Sequence, residues 1–227
     1  LWKPSKEDEP SWDSPWGPGR PGWHIECSAM IEHLFESTIS IHLGGADLKF
    51  PHHENEIAQS ECCFKRPLAK LWLHIGFVQV KSEKMSKSLG NFVTLKEVLK
   101  DHSANAIRLF YLMTHYRQPL SFSIESLEQA QSTYESLYQA LRFVDADQTH
   151  QPCPNVIGAL HQSLDDDLNI PQLMATIFSY LKKLKNLSAL QKTTTALAVK
   201  KYCEDVLGLV FDYSKLEAQA PDQVYAL

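Results

Sequence analysis

Features that mark whole classes of protein are missing from this sequence of 227 residues. No apolar run approaches the ~20 residues of a membrane-spanning helix, and no signal peptide opens the chain. Basic residues number 22 against 27 acidic ones, which gives a formal net charge of −5. This net charge does not indicate nucleic-acid binding, although a large enzyme can carry a local basic face on an acidic chain. There is no internal repeat and no low-complexity tract.

Cysteine is scarce. The five cysteines are odd in number and scattered, and two of them, Cys62 and Cys63, are adjacent. This arrangement does not suit a disulfide framework and favours a reducing, cytoplasmic setting. The chain begins at Leu1-Trp2 without Met and ends on apolar residues, from which we expect a piece of a longer protein.

The first part of the chain alternates between strand and helix patterns. Its opening is rich in proline up to about residue 24, which indicates an ordered loop or an edge strand. Apolar spacing then predicts, in order, a helix over 25–35, a strand over 38–42, a helix from Pro51 or His52 to Phe64, and a strand over 71–80. Such alternation predicts a parallel α/β layer up to about residue 92.

Beyond residue 92 the patterns predict only helices. Thr94 and Glu97 have the spacing of a capping box, in which each side chain satisfies a free backbone donor at the helix start. The longer helical patterns, which would pack as a bundle, cover 104–116, 124–144, 171–187 and 194–209. The predicted fold class is therefore α/β followed by all-α.

Two lysines three positions apart carry the strongest chemical signal. Lys84 and Lys87 belong to the string Lys-Met-Ser-Lys-Ser, and Gly90 and Asn91 follow closely. A flexible loop of this kind can close on polyphosphate, where each ammonium follows the migrating negative charge. The alternative is a solvated basic turn. The whole string matches the signature of class I aminoacyl-tRNA synthetases, which favours the phosphate-binding interpretation.

Cys27, His52 and Glu56 form a candidate metal site. His52 and Glu56 are four residues apart, so on a helix they project from one face. A thiolate, an imidazole and a carboxylate together suit Zn²⁺. The residues alone leave two alternatives open: His53 could serve in place of His52, or Cys27 could be an ordinary core residue beside a polar helix start.

A third signal is a glycine pair after the predicted strand 38–42. Gly44 and Gly45 would let a nucleotide approach the backbone, and Asp47 could accept hydrogen bonds from ribose hydroxyls. A plain glycine turn at the end of a strand explains the same residues.

Three runs resemble one family closely. Residues 16–30, 44–56 and 72–74, the last leading into the lysine string, are strongly similar to cysteinyl-tRNA synthetases. The resemblance covers nearly the whole chain, and its weaker helical part includes 165–169. It implies the C-terminal half of a Rossmann-type class I catalytic domain followed by a helical bundle. The implied domains are a catalytic α/β domain over 1–92, connecting stem-contact helices over 93–120, and a tRNA-binding bundle over 121–227.

The resemblance also assigns roles to individual residues. It implies that Cys27, His52 and Glu56 bind one Zn²⁺, and that Trp23 flanks the amino-acid substrate. Asp47 and Gly45 then belong to the ATP site. Lys84 and Lys87 become catalytic, and Lys87 also contacts the ATP phosphates.

The implied activity is ATP-dependent conversion of L-cysteine to cysteinyl-adenylate and transfer to tRNA(Cys). Mg²⁺ would accompany ATP, and zinc would select the cysteine thiolate. The family's fourth zinc ligand and its His-Ile-Gly-His motif are not found in this sequence, so we expect the chain alone to be inactive. Two alternatives are a cysteine ligase of mycothiol synthesis, which transfers to an amino sugar, and a non-catalytic zinc- or tRNA-binding module.

Overall fold

The computed structural model describes residues 2–80, 83–84, 93–144 and 150–213, with Glu83 and Lys84 described as backbone. Its contacts divide the chain into two compact units, Leu1–Phe77 and Val78–Leu227. The boundary between these units thus lies earlier in the chain than residue 92. The roles assigned to the predicted domains stay predictions.

The first unit mixes short strands and two helices. In chain order its elements are β1 (Trp2–Pro4), β2 (Gly19–Pro21), α1 (His24–Phe35), β3 (Ile39–Gly45), a 3₁₀ turn (Ala46–Leu48), a π-helical turn (Lys49–His53), α2 (Glu54–Phe64) and β4 (Ala69–Ile75). The proline-rich opening forms the antiparallel pair β1–β2, as an edge-strand interpretation predicts. The predicted helix over 25–35 is confirmed as α1.

The parallel pairing predicted for this region is present. β3 and β4 pair in parallel, with Ile39 opposite Ala69 and Gly45 opposite Ile75. α2 and the two turns before it connect these strands, as a parallel connection requires. The helix predicted from Pro51 or His52 begins instead as the π-helical turn and becomes α-helical at Glu54.

Burial in the first unit is unusual, because most of its buried side chains are polar. Among its described residues, only Leu68 and Ala69 are buried apolar side chains. The buried polar residues are His24, Ser28, His52, His53, Glu56 and Ser60. Since buried polar groups cost free energy unless they find partners, this concentration marks the place to look for a site.

The second unit is mainly helical. Its elements are β5 (Val78–Val80), β6 (Glu83–Lys84), α3 (Leu95–Asp101), α4 (Ala104–Leu112), β7 (Leu120–Phe122), α5 (Ile124–Leu141), α6 (Pro154–Asp165), α7 (Ile170–Lys183), a 3₁₀ turn (Leu184–Asn186) and α8 (Ala189–Asp205). The capping box predicted at Thr94 and Glu97 is confirmed at the start of α3. α/β structure followed by helices is therefore the observed fold class.

Two expectations about this unit are wrong. The chain after residue 92 is not all helix, because β7 pairs in parallel with β5, with Val78 opposite Leu120. The helix α6 was also absent from the expected set. Its Gly158 interrupts the helical pattern, although Val156 and Leu160 are both buried at helical spacing.

An apolar core holds the helices of the second unit together. Its fully buried members include Leu109, Leu137, Leu160, Ile177 and Val199, which come from α4, α5, α6, α7 and α8. A second cluster, around Val98, Phe110 and Leu127, packs against β5 and β7. No helix among the described residues is long and apolar enough to cross a bilayer.

Candidate metal centre

Cys27, His52 and Glu56 come together in the first unit. One ligand atom from each, the thiol sulfur, a ring nitrogen and a carboxylate oxygen, lies within 4.8 Å of the other two. Cys27 is partly buried, and His52 and Glu56 are buried. The sequence separation of Cys27 from the other two is bridged because α1 and α2 pack side by side, where Ser28 Oγ donates to Gln59 Oε1 at 2.8 Å.

The carboxylate of Glu56 provides the test of whether these residues fit a metal. The side chain is fully buried, and its Oε1 atom accepts no hydrogen bond. This oxygen lies 3.5 Å from His52 Nε2. An unpaired carboxylate oxygen away from water is costly, and a cation beside it removes that cost. The donor types also match those that hold Zn²⁺. The three residues therefore fit a divalent metal.

The His52 ring is held on its face and on its far edge. Trp23, the residue just before α1, stacks on it with ring centroids 3.7 Å apart and planes 5° apart. His52 Nδ1 lies 2.8 Å from Nδ1 of the buried His24. With Nδ1 occupied in this way, Nε2 is the nitrogen that faces Glu56. A partner on the second ring nitrogen is the usual arrangement for a metal-binding histidine.

A second group of histidines surrounds the other oxygen of Glu56. His42 Nε2 lies 3.0 Å from Oε2, and His53 Nε2 lies 3.9 Å from it. His53 Nδ1 in turn lies 2.9 Å from His74 Nε2. His42, His53 and Glu56 also satisfy the distance criterion for a metal site. Since Oε2 is already hydrogen-bonded by His42, this group is better suited to orient Glu56.

An ideal α-helix would turn adjacent histidines about 100° apart and direct only one of them toward Glu56. Residues 49–53 form a π-helical turn instead, and both His52 and His53 reach the carboxylate, through different oxygens. Of the two histidines, only His52 belongs to the same candidate metal-binding group as Cys27.

Gly44 is needed for this packing. A Cβ atom at this position would lie 2.7 Å from Cε1 of the His53 ring and 2.8 Å from Nε2. Because His53 is buried, its ring has no room to move away. The glycine therefore admits the ring, whereas the sequence alone suggested an approach of nucleotide to backbone.

Burial shifts the pKa values in this cluster. It lowers the pKa of His24 and of His53 below the ordinary histidine value, with repulsion from neighbouring imidazoles adding to the effect. Neutral imidazole is the form that binds metals. Burial also raises the pKa of the Cys27 thiol, and the nearby Glu56 carboxylate raises it further. A metal cation reverses the influence of that carboxylate, because it stabilises the thiolate directly.

The remaining predicted site residues are described less fully. Asp47 lies in the 3₁₀ turn after β3, and its Oδ1 atom is so close to Gly45 that a Cβ there would lie 2.5 Å from it. Lys84 lies in β6, which pairs with β5. Lys87 lies outside the described residues. The structure therefore does not test the predicted phosphate contacts.

An open groove of ≈620 Å³ reaches the candidate donor group from one side. Cys27 and His42 are among its lining residues, and apolar side chains of α1 and β3 such as Met30 and Ile41 make up much of the rest. Cys27 is thus the accessible donor of the group, while Glu56 lies at its buried end.

One known protein family matches more than half of the chain. The model of the family "tRNA synthetases class I (C) catalytic domain" matches residues 1–132. The chain belongs to this family. All of the candidate metal donors fall within the matched part.

Individual relatives are similar over most of the chain. A "Cysteine--tRNA ligase" of Alkalilimnicola ehrlichii is 50% identical over 188 residues, which is 82% of this chain and 41% of the relative. One from a Shewanella species is 45% identical over 228 residues, 99% of this chain and 48% of the relative. The chain therefore spans less than half the length of these curated relatives.

A solved structure shares the fold. A LeuRS-tRNA-LeuAMS ternary complex from Agrobacterium radiobacter superposes with a TM-score of 0.65 and 15% identity, covering 86% of this chain and 32% of that one. At this identity the likeness concerns the fold alone. Together with the family match, it confirms the predicted class I synthetase fold.

Sequence reasoning missed several residues of the centre in this synthetase-family chain. His24 and His74 had no predicted role, and His42 appeared only within the glycine motif. A signal was available in the strands: His42 on β3 lies opposite Trp72 on β4, and Gly44 lies opposite His74. Reading it required the register of the parallel pair, which the sequence does not give.

Proposed function

We propose that the protein carrying this chain is a cysteinyl-tRNA synthetase. It would activate L-cysteine with ATP to cysteinyl-adenylate and transfer the cysteinyl group to tRNA(Cys). The observation that carries this proposal is the Cys27–His52–Glu56 donor group with its buried, unpartnered carboxylate oxygen. The family match and the names of the relatives support it.

Cys27, His52 and Glu56 would hold one Zn²⁺. Such a metal supplies an open coordination position that accepts a thiolate far better than a hydroxyl, which would separate cysteine from serine at the binding step. The resemblance implies a fourth protein ligand outside this sequence, so the substrate thiolate would add to the protein ligands of an ion that can expand beyond four-coordination. Trp23, stacked on His52, would form a wall beside the substrate.

The histidines around Glu56 would keep the donor set in one arrangement. His42 fixes the Oε2 atom, so that Oε1 stays directed toward His52. His24 fixes the His52 ring. Ligands held in this way do not have to reorganise when the substrate arrives, which is the main contribution that a protein makes to such a site.

The nucleotide contacts are proposed for residues whose side chains the structure describes only in part. Asp47 would accept hydrogen bonds from the ribose hydroxyls of ATP, beside the backbone of Gly45. Lys84 and Lys87 would neutralise the phosphates, with Mg²⁺, while the cysteine carboxylate attacks the α-phosphate and pyrophosphate leaves. Positioning and charge stabilisation carry most of such a reaction. Five free cysteines support a reducing, cytoplasmic setting.

Cysteine-dependent ATP–pyrophosphate exchange, followed by charging of tRNA(Cys), tests the proposal. We expect exchange with cysteine, at least about a hundredfold less with serine, and charging of tRNA. Absence of exchange in zinc-loaded protein would favour a non-catalytic binding module. Exchange without charging, but with transfer of cysteine to an amino sugar, would favour the mycothiol-type ligase.

A further inference from the structure

One turn of the second unit is held by polar contacts that converge on Asp167. Arg117 donates to its carboxylate through Nε at 2.5 Å and through a terminal guanidinium nitrogen at 3.0 Å, and the Tyr116 hydroxyl donates at 2.6 Å. His115 Nε2 lies 3.0 Å from the Asp167 carbonyl oxygen. We call these four residues, three of them consecutive, the Asp167 clamp.

The clamp binds a part of the chain whose backbone is strained. Asp167 and Leu168, between α6 and α7, both have left-handed conformations, with φ of 53° and 54°. Aspartate adopts this region fairly readily, whereas leucine does so rarely. Further contacts fix the same turn, because Leu168 N donates to Leu164 O at 2.9 Å and the Asn169 side chain caps α7. Such strain persists only where the surroundings determine the conformation, and it is concentrated at functional positions.

The other end of the clamp leads directly into a small sheet. Arg117 lies three residues before β7, which pairs in parallel with β5. On its other side β5 pairs with β6, where Lys84 lies opposite Gln79. The strands are only two or three residues long, and so short a sheet is weak unless neighbouring structure supports it. The clamp therefore ties the sheet that carries Lys84 to the turn between α6 and α7.

The clamp is better suited to fix a geometry than to stabilise the fold. The side chains of Arg117 and Asp167 are about half exposed, and exposed ion pairs contribute only modestly to the free energy of unfolding. The stability of this unit comes mainly from its apolar clusters. A two-pronged contact between a guanidinium and a carboxylate instead sets distance and direction. Arg117 and Tyr116 also lower the pKa of Asp167 to about 2, so the carboxylate is ionised at neutral pH.

We infer that the Asp167 clamp positions β6, the strand of Lys84, for the reaction with ATP. The inference rests on the proposed function, in which Lys84 neutralises phosphate charge. A displacement of about 1 Å can slow such a reaction by as much as about a hundredfold. Arg117 and Asp167 are thus positioning residues, which act through β7 and β5 and not by contact with the substrate.

Asp167→Asn tests this inference, because asparagine also tolerates the left-handed conformation and only the charge is lost. In the protein that carries this chain, the variant should lower the rate of cysteine-dependent ATP–pyrophosphate exchange by about tenfold, while the KM for ATP stays within about threefold. Arg117→Gln should lower the rate equally, and the double variant no further, since all three break the same contact. Normal rates in either single variant, losses that add up, or a weakened KM with normal turnover would overturn the inference.

A control variant separates positioning from general destabilisation. Ser188→Ala removes the side-chain cap of α8, which lowers the stability of the same unit without touching the clamp. At a temperature where every variant is fully folded, its rate of pyrophosphate exchange should stay within about twofold of that of the unsubstituted protein. An equal loss in Ser188→Ala and Asp167→Asn would reduce the clamp to an ordinary stabilising contact and overturn the inference.

Amide hydrogen exchange gives a measurement that does not depend on the proposed function. In Asp167→Asn the backbone amides of β5 and β7 should exchange faster, while those around Ile177 and Val199 in the apolar core stay as slow as in the unsubstituted protein. Faster amide exchange throughout the unit, or no change in β5 and β7, would contradict the role of the clamp. If the unsubstituted protein shows no cysteine-dependent pyrophosphate exchange, the proposed function fails, and the amide rates still decide whether the clamp holds the sheet.

Discussion

Glu56 is fully buried, and its two oxygens have different surroundings. Oε2 is hydrogen-bonded by His42, whereas Oε1 faces His52 without a hydrogen bond. This division assigns a role to each adjacent histidine. In the proposed centre His52 would act with Cys27 as a ligand, and His53 would support the carboxylate from the other side.

The assignment predicts different results for the two histidines. His52→Ala should remove a ligand and greatly reduce zinc content, while His53→Ala should keep zinc and weaken its binding by about 10- to 100-fold at most, as expected for a supporting residue. Zinc analysis after dialysis against chelators of graded strength measures the difference. Retention in His52→Ala together with loss in His53→Ala would reverse the assignment.

Asp167 is a second residue whose environment makes a prediction. Its carboxylate accepts from Arg117 Nε at 2.5 Å and from the Tyr116 hydroxyl at 2.6 Å, and these hydrogen bonds lower its pKa from 3.8 to about 2. A lowered pKa in the folded state means that the ionised form stabilises the fold above pH 3.8, and that this contribution disappears as the pH falls toward 2.

We therefore expect Asp167→Asn to be less stable than the unsubstituted protein at pH 6, with the difference shrinking below about pH 4. Urea denaturation at several pH values measures it. Asp101→Asn, at an exposed position at the end of α3, is the matched control and should show no such trend. A difference for Asp167→Asn that is constant from pH 6 to pH 3 would contradict the prediction.

At the scale of elements, the same substitution should have opposite effects at two glycines. Gly44 lies at the end of β3 against the His53 ring, so an added methyl group overpacks the site and should cost about 1–3 kcal/mol. Gly158 lies inside α6 with nothing within 4 Å of the added group, so alanine should stabilise by about 0.5–1 kcal/mol.

Thermal or chemical unfolding of Gly44→Ala and Gly158→Ala tests the pair. Each variant serves as the control for the other, since the chemical change is identical. Destabilisation by both, or by neither, would show that the close approach at Gly44 does not decide the outcome.

Local signals predicted the elements well where they were strong. The capping box at Thr94 and the helical spacing over 25–35 depend on residues close in sequence, and both are confirmed. β7 was missed because three residues, Leu120–Phe122, are too few to show alternation, and their strand exists through pairing with the distant β5. Such pairing is set by tertiary context more than by propensity.

The residues of the candidate site were also predicted only in part. The resemblance and the residue types named Cys27, His52 and Glu56, and the structure brings all three together. The supporting roles of the other histidines could not be predicted, because His42 and His74 come from paired strands and His53, an alternative ligand in the sequence, reaches Glu56 through a π-helical turn. Their contacts depend on register and on a departure from ideal helix geometry.

At the scale of the whole molecule, the two units differ in what they bury. The second is held by an apolar cluster shared among its helices. The first buries mainly histidine, serine and glutamate, so its stability should depend on the metal more than that of the second. Binding of a ligand to the folded state alone stabilises that state.

The proposed reaction predicts how Lys87 acts. The sequence predicts a loop of small residues around Lys87 that reaches the phosphates only on closing, so this lysine should stabilise the transition state more than bound ATP. Lys87→Ala should lower the adenylation rate by roughly a hundredfold or more while the KM for ATP changes little. Pyrophosphate exchange measures both, and normal turnover with a weakened KM would instead make Lys87 an ordinary binding charge.

The zinc content of a Cys27→Ser variant tests the central claim most directly. The unsubstituted protein should bind about one zinc per chain, and Cys27→Ser should lose most of it, because serine is a far weaker ligand than a thiolate. Cys62→Ser, at an exposed cysteine on the same unit, is the control and should keep its zinc. Zinc in Cys27→Ser equal to that of the control would contradict the proposed metal centre.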